Sequence, residues 1–544
     1  MTGLFPPCAG RGKKANNQSD PPRPFPRPAS AAKAIDEYIE QRQKPEAEQA
    51  IDARLVSIVE RMFQRCFDDG QIHQAIGVAL ETKRLDKLEE AIHKSTDVAE
   101  ALNYATRVCQ TLVTSREFRR EVLTVLVRMY ESDHVENNYL NVCQCLMFLD
   151  DADGVAAILT RLVEGEEDDQ LLAYQIAFSL CENEIQKFLS NVASKLAPSP
   201  KDTPRENGAD EDATMEDGEE DKKEDEEKKT EEKKTEEKKE PIALLRSVLS
   251  GELPVNLHLE FLYSHNAADL LLLKQMRSAV ESRNSVCHSA TVLCNALMHA
   301  GTTVDTFLRE NLDWLSRATN WARFSATAGM GVIHRGQLNE GRTLMGPFLP
   351  REGGAGGARP SPYTEGGALY ALGLIHANHG EGILPFLLES SRSSNNEVIQ
   401  HGACLGLGLA ALGSGNEEVF TDMFRILRTD GAIAGEGAGV GMGLLLAGSG
   451  AVDKQQQILN YCHKTQHEKI IRGCSVGLAL TAYGREEEAE PLIEQMVRDS
   501  DPIIRYGACL ATASAYVATG NNAGIRRLLH VAVSDVSDDV RRAA

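Results

Sequence analysis

Apolar residues fall on helical spacings through most of the chain. Leu55, Ile58, Val59, Met62 and Phe63 recur at i, i+3, i+4, i+7 and i+8 and predict one buried helix face. Asp68-Asp-Gly70 marks a turn, and Ala75, Val78 and Ala79 open the next face. Further helices are predicted over Ala101–Val113, Glu121–Tyr130, Tyr139–Leu149, Ala152–Val163 and Leu171–Leu189, and later over Val286–Met298 and Val304–Leu315. The connections are short, which favours antiparallel neighbours, and no alternating strand pattern interrupts them. The predicted class is all-α, with an α-solenoid rod of helical hairpins over residues 35–196 and a helical connection over 241–319.

From residue 320 a second period appears. Gly367, Gly402, Gly437, Gly473 and Gly507 each precede a small residue and an apolar run, at separations of 35, 35, 36 and 34. The surrounding text repeats: EGGALYALGLIHANHG, QHGACLGLGLAALGSG, GEGAGVGMGLLLAGSG, IRGCSVGLALTAYGRE and IRYGACLATASAYVATG. A weaker copy, RFSATAGMGVIHRGQ, precedes them across a loop at Arg351–Pro362, giving six copies over 320–544. Such a period predicts a helical solenoid or ring. Each copy pairs a small-residue helix with an amphipathic one, such as Val419–Leu427, Gln457–Tyr461 or Ile525–Leu529. Gly380, Gly413, Gly448, Gly484 and Gly520 are expected in the left-handed position that ends the first helix. Glycines inside that helix cost about 0.5–1 kcal/mol each against alanine. Close approach of neighbouring helix axes offsets that cost, so Gly367, Gly402, Gly437, Gly473 and Gly507 are read as structural repeat glycines.

Composition separates two segments from this helical text. Residues 1–34 are Pro-rich, with seven prolines in the first 30, and are expected to be disordered. Residues 197–240 are an acidic, Lys/Glu-rich insertion without an apolar face, also expected to be disordered. Within it, residues 201–240 hold 19 acidic and 10 basic side chains, so they carry −9 of the net −22. That balance argues against nucleic acid as a partner, because phosphate neutralisation needs basic surface. Twelve cysteines without framework spacing, and an opening MTGLFPPCAG without an apolar run, point to reduced thiols in the cytoplasm or nucleus. The longest charge-free apolar run, Gly437–Val452, falls short of the roughly 20 residues of a membrane helix, so no membrane is expected.

The candidate chemistry dissolves under the same reading. Gly406-Leu-Gly408-Leu-Ala-Ala411 matches a dinucleotide fingerprint, yet that motif must follow a strand, and the stretch reads as a repeat helix whose equivalents lose it. His467-Glu468 has Ile471 where a zinc protease helix has its second histidine, and Gly448-Ser-Gly450 lacks the spacing of a nucleophile elbow. Cys143 and Cys145 lack further ligands, and are expected to be helical with at least one buried. Cys287-His288 and His376/His379 show no third orienting group. No catalytic residue, cofactor or metal is expected.

These residues also carry a resemblance. The glycine repeat resembles the proteasome/cyclosome repeat, and NVCQCLMFLDD (141–151), ATNWARFSATAGMGVIH (318–334), GALYALGLIHANHG (367–380), TQHEKIIRG (465–473) and the closing segment 524–544 are similar to family members over long stretches. The resemblance runs from about Ile51 to Ala544, outside the insertion. It implies a helical rod leading into a toroid of helix pairs, in a non-catalytic scaffold of the proteasome regulatory particle. The implied partners are proteasome ATPase subunits, lid subunits and a ubiquitin receptor. Against the family pattern, the first 30 residues replace helices, and the closing repeats and the tail that docks the receptor do not follow Arg542-Ala-Ala544. An open ring with an apolar repeat end is therefore expected. The other function class compatible with the solenoid is a free-standing helical-repeat adaptor that binds peptides or proteins.

Overall fold

The computed structural model describes residues 28–42, 51–131, 138–196, 241–280, 285–316, 319–349 and 360–544. All the regular elements among them are helices, so the fold is an all-α solenoid. The expectations for residues 1–27, for the block 197–240 and for most of the 351–362 loop lie outside the described residues. The chain divides into two compact units, Met1–Cys109 and Gln110–Ala544.

The first unit holds α1 (Pro28–Arg42), α2 (Ala53–Asp68), α3 (Ile72–Glu81), α4 (Leu85–His93) and most of α5 (Val98–Leu112), and α2 to α5 follow one another through short turns. Helix α1 opens at Pro28, so the boundary expected after residue 34 falls inside a helix. Val59 and Phe63 of the predicted α2 face are fully buried, and Leu55, Ile58 and Met62 flank them half-buried. Arg84 and Lys87, at the start of α4, hold Glu60 of α2 at 2.8 and 3.0 Å.

The second unit begins with α6 (Arg116–Tyr130), α7 (Tyr139–Leu149), α8 (Ala152–Val163), α9 (Glu167–Asn183) and α10 (Gln186–Lys195). The sequence predicted one helix over Leu171–Leu189. Instead Glu184 and Ile185 are extended, with ψ of 156° and 153°, and divide it. After α11 (residues 241–249), α12 (Glu252–Ser264), α13 (Leu270–Ala279) and α14 (Ser285–Met298), the helix predicted over Val304–Leu315 is also divided, into α15 (Thr306–Glu310) and α16 (Leu312–Ser316). At the break, buried Asn311 donates its side-chain amide to the Phe307 carbonyl at 2.6 Å and so competes with the helix for that acceptor.

The repeats then stack. Inner helices α17 (Asn320–Ile333), α19 (Pro362–Ile375), α21 (Glu397–Ala410), α23 (Ala432–Leu445), α25 (Glu468–Thr481) and α27 (Pro502–Ala515) each pack along the next. Outer helices α18 (Gly341–Met345), α20 (Leu384–Ser393), α22 (Glu417–Leu427), α24 (Val452–Cys462), α26 (Glu490–Val497) and α28 (Asn522–Ser534) lean mainly on the inner layer, and α29 (Asp538–Ala543) follows on α27. Helix α14 packs on α17 as the inner helices pack on one another, so the stack begins ahead of the expected boundary at residue 320.

The glycines lie where inner helices touch. All five repeat glycines are buried. A Cβ on Gly367 would stand 2.6 Å from the Phe324 carbonyl oxygen, and one on Gly402 2.5 Å from the Gly366 carbonyl carbon. On Gly437 and Gly473 it would stand 2.9 Å from the Cα of His401 and of Glu436, and on Gly507 2.7 Å from the Ser475 Cβ. Gly406, the first glycine of the apparent dinucleotide fingerprint, faces the Leu369 carbonyl oxygen at 2.6 Å, and Gly408 faces Gly441 at 2.7 Å, measured the same way. Both lie within α21, with no strand before them. Except at Gly507, where the Ser475 Cβ stands nearest, these neighbours are backbone, which cannot rotate away as a side chain can.

Two substitutions of the same kind therefore have opposite signs. Gly406→Ala should destabilise its unit by about 1–3 kcal/mol through overpacking. Gly77→Ala in α3, where a Cβ meets nothing within 4 Å, should stabilise by about 0.5–1 kcal/mol. Denaturant melts of both variants, followed by helical circular dichroism, would expose the close-packing account as wrong if the two shifts had the same sign.

Candidate functional site

The last four carbonyls of a helix have no partner within it. In this stack the turn of the preceding repeat supplies one. Gly413 and Gly415 donate their backbone N–H groups to the carbonyls of Leu444 and Leu445, at the end of α23, both at 3.1 Å. Gly448 and Gly450 do the same to Leu480 and Thr481 of α25 at 3.1 and 3.2 Å. Asn378 reaches Leu409, Gly336 reaches Ile375, and Gly484 reaches Ser514. Gly301 and Thr303, after α14, already bond Val332 and Ile333 of α17 at 3.0 and 3.1 Å.

Such turns need left-handed residues. The first stands two places after each helix cap: Gly336, Asn378, Gly413, Gly448, Gly484 and Ala518, with φ between 60° and 87°. This corrects the expected register. Gly380 is not left-handed; Asn378 takes that role, and a Cβ on Gly380 would instead stand 2.5 Å from the Ala410 Cβ. Gly520 is left-handed but sits two places later, matching Gly415 and Gly450. At that second position α25 is followed by Glu486, with φ of 49°.

The earlier helices of the same unit dock on this row of turns. Ile185, freed by the break after α9, lies against Gly413, where a Cβ would meet it at 3.2 Å. Gln186 donates its side-chain amide to the carbonyls of Ala410 and Leu412 at 3.0 and 3.1 Å, and its backbone N–H to the Asn378 side chain at 3.3 Å. Arg116 donates to the Gly484 carbonyl at 2.5 Å, and its backbone N–H, in the first turn of α6, donates to the Glu487 carboxylate at 3.2 Å. Arg119 clasps Glu486 with both ends of its guanidinium, at 3.1 and 2.9 Å. Their side chains are only 13% and 8% exposed, so the pair is nearly dry. A non-glycine residue in a left-handed turn is strained, and a bidentate charged pair offsets that strain.

The remaining sequence candidates are dispersed through the fold. Cys143 and Cys145 are both buried, and burial pushes the Cys143 thiol up to about 12, far from the thiolate needed for chemistry. The His288 ring lies 4.0 Å from that of Trp314, tilted by 32°, beside the hydrophobic cluster that holds Trp314. Burial pushes His376 and His379 below the usual histidine range, and His379 rests against Gly251. His467 lies at the start of α25 with Asp430 at 3.8 Å. Among the described residues no three His, Cys, Asp or Glu side chains are grouped as metal ligands, and no helix is long and apolar enough to cross a membrane. One carboxyl does stand apart. Burial, aided by the charge of Asp150, pushes Glu184 up to about 7.

The comparisons agree with a repeat-built assembly protein. The family model for the N-terminal domain of 26S proteasome subunit RPN2 matches residues 30–266, and that for the proteasome/cyclosome repeat matches residues 402–436. The chain is 57% identical over 526 residues to 26S proteasome non-ATPase regulatory subunit 1 homolog B of Arabidopsis thaliana, covering 94% of this chain and 52% of that protein. It is 47% identical over 539 residues to 26S proteasome non-ATPase regulatory subunit 1 of Drosophila melanogaster, with the same coverages. Against 26S proteasome regulatory subunit RPN2 of Saccharomyces cerevisiae the identity is 36% over 511 residues, covering 91% of this chain and 49% of that protein. The chain thus spans about half the length of the curated relatives it matches.

Two variants probe the seam. Glu486→Ala removes the bidentate carboxylate from the nearly buried Arg119 and should cost about 3 kcal/mol, whereas Arg119→Met with Glu486→Gly should recover most of that loss. A double-mutant cycle built from Glu486→Gly, Arg119→Met and the two together, with coupling near zero, would remove the pair from the account of docking. Glu184→Gln probes linkage. A carboxyl raised in the native state leaves that state holding the extra proton, so native stability falls as pH rises from about 4.3, the unfolded value, through about 7. The variant should match the wild type near pH 4 and melt higher at pH 8; equal melting temperatures at pH 8 would contradict this.

Proposed function

We propose that the chain belongs to the 26S proteasome non-ATPase regulatory subunit 1 family and acts as a non-catalytic scaffold of the proteasome regulatory particle. The observation that carries this reading is the 57% identity sustained over 94% of the chain to a relative named as a non-ATPase regulatory subunit. The architecture is of the right kind. Helices stacked through backbone contacts form a stiff support, and their outer surfaces remain free for other proteins. The repeat glycines serve that stiffness by setting the spacing of the inner layer. The partners are the ATPase and lid subunits of the particle, in cytoplasm and nucleus. The role is assembly for ubiquitin-dependent degradation.

Affinity capture of the tagged chain from extract, resolved on native gels and read by mass spectrometry, tests this. The expected result is co-migration with ATPase and lid subunits at fixed stoichiometry, and a full-length relative provides the reference. A free-standing adaptor would instead exchange and appear in substoichiometric amounts with other proteins. Failure of the chain to enter the particle, while the reference assembles, would count against scaffolding by these residues.

A further inference from the structure

A cleft of about 510 Å³ lies between the end of α5, the start of α6, α7 and the end of α9. Its volume falls within the roughly 300–1,000 Å³ typical of ligand sites. Gln110, Gln144 and Glu184 line it, all half-buried, and among the described residues none of these three side chains has a hydrogen-bond or ion-pair partner. Their polar atoms reach solvent in the open cleft, so each is available to pair with a ligand in place of water. Beside them Phe148 is 52% exposed, although Val142, Cys143, Cys145 and Leu146 of the same helix are buried. Met147 completes an apolar wall.

The chemistry of the wall selects an occupant. A primary amide both donates and accepts, which matches the alternating N–H and C=O groups of an extended peptide backbone. An exposed aromatic ring next to a thioether takes an apolar side chain. The charge left over is negative, because Arg116 is already committed to the Gly484 carbonyl and Glu488, while Glu184 faces only the like charge of Asp150. A cation there would relieve that repulsion, whereas an acidic ligand would worsen it.

We propose that this cleft binds an extended peptide segment of a partner protein, with Gln110 and Gln144 pairing with its backbone, an apolar side chain against Phe148 and Met147, and a lysine or arginine beside Glu184. The site stands independently of the scaffold reading, since either a scaffold or an adaptor could use it.

A phage-displayed random octapeptide library selected on the immobilised full chain tests the proposal. The enriched peptides should share an apolar residue close to a lysine or arginine. Their synthetic forms should bind the Phe148→Ala variant at least tenfold more weakly. Glu184→Gln should weaken binding of the lysine peptide while leaving its norleucine analogue unchanged. Because Glu184→Gln removes a poorly solvated charge, it folds at least as well as the wild type and keeps the test valid if Phe148→Ala is damaged. No enrichment over bare support, or enriched peptides that bind Glu184→Gln and a folded Phe148→Ala protein as tightly as the wild type, would overturn the proposal.

Discussion

The second unit depends on backbone meeting backbone. Where inner helices α19, α21, α23 and α25 touch, glycine faces a neighbouring carbonyl or Cα at distances that exclude even a methyl group. Two consequences follow from this constraint. The helices lose propensity that tertiary packing must restore, and the spacing of the inner layer is fixed by the main chain, whose dimensions do not vary with sequence. The outer helices are free of that demand, and they carry ordinary amphipathic patterns with larger side chains such as Phe420, Met423 and Ile426 of α22.

Close approach of the inner helices brings their C-terminal ends level, and so allows the turn of one repeat to satisfy the carbonyls of the next. The row of turns then becomes a docking edge for the earlier helices. Gln186 inserts into it at one point, and Arg116 and Arg119 grip it at another. Thr303 after α14 and Glu486 after α25 depart from glycine at the second left-handed position, and Glu486 is the residue that Arg119 holds. The departure from the repeat pattern and the specific contact are the same event, so an irregularity in a periodic sequence can mark where something is held.

How much of this could be read from the sequence varied with the range of the interaction. The helical class was legible because Leu55 through Phe63 keep a 3.6-residue spacing, and the period was legible because glycine is conspicuous. Helix α14 was legible as a helix but not as a member of the stack, because it carries no glycine, and Ala296 meets Gly329 at an ordinary contact distance. The ladder of turn bonds was not legible, since every donor and acceptor is backbone and leaves no residue signature. Nor was the grip of Arg119 on Glu486, across 367 residues of chain. The left-handed turn was misaligned in two copies because Asn378 and Ala518 occupy a position that glycine fills elsewhere. Asparagine tolerates that conformation through its short polar side chain, and alanine accepts it under the constraint of its neighbours.

The ladder of turns has a direction. Each turn donates hydrogen bonds to the repeat after it and each helix end accepts them from the repeat before, so successive units are joined head to tail. A bond of that kind is indifferent to number. It specifies which surface meets which, and the same rule would serve three units or thirty. The count of repeats must therefore be written elsewhere, in whatever closes or caps the series, and the turns themselves can be lengthened by duplication without inventing a new contact.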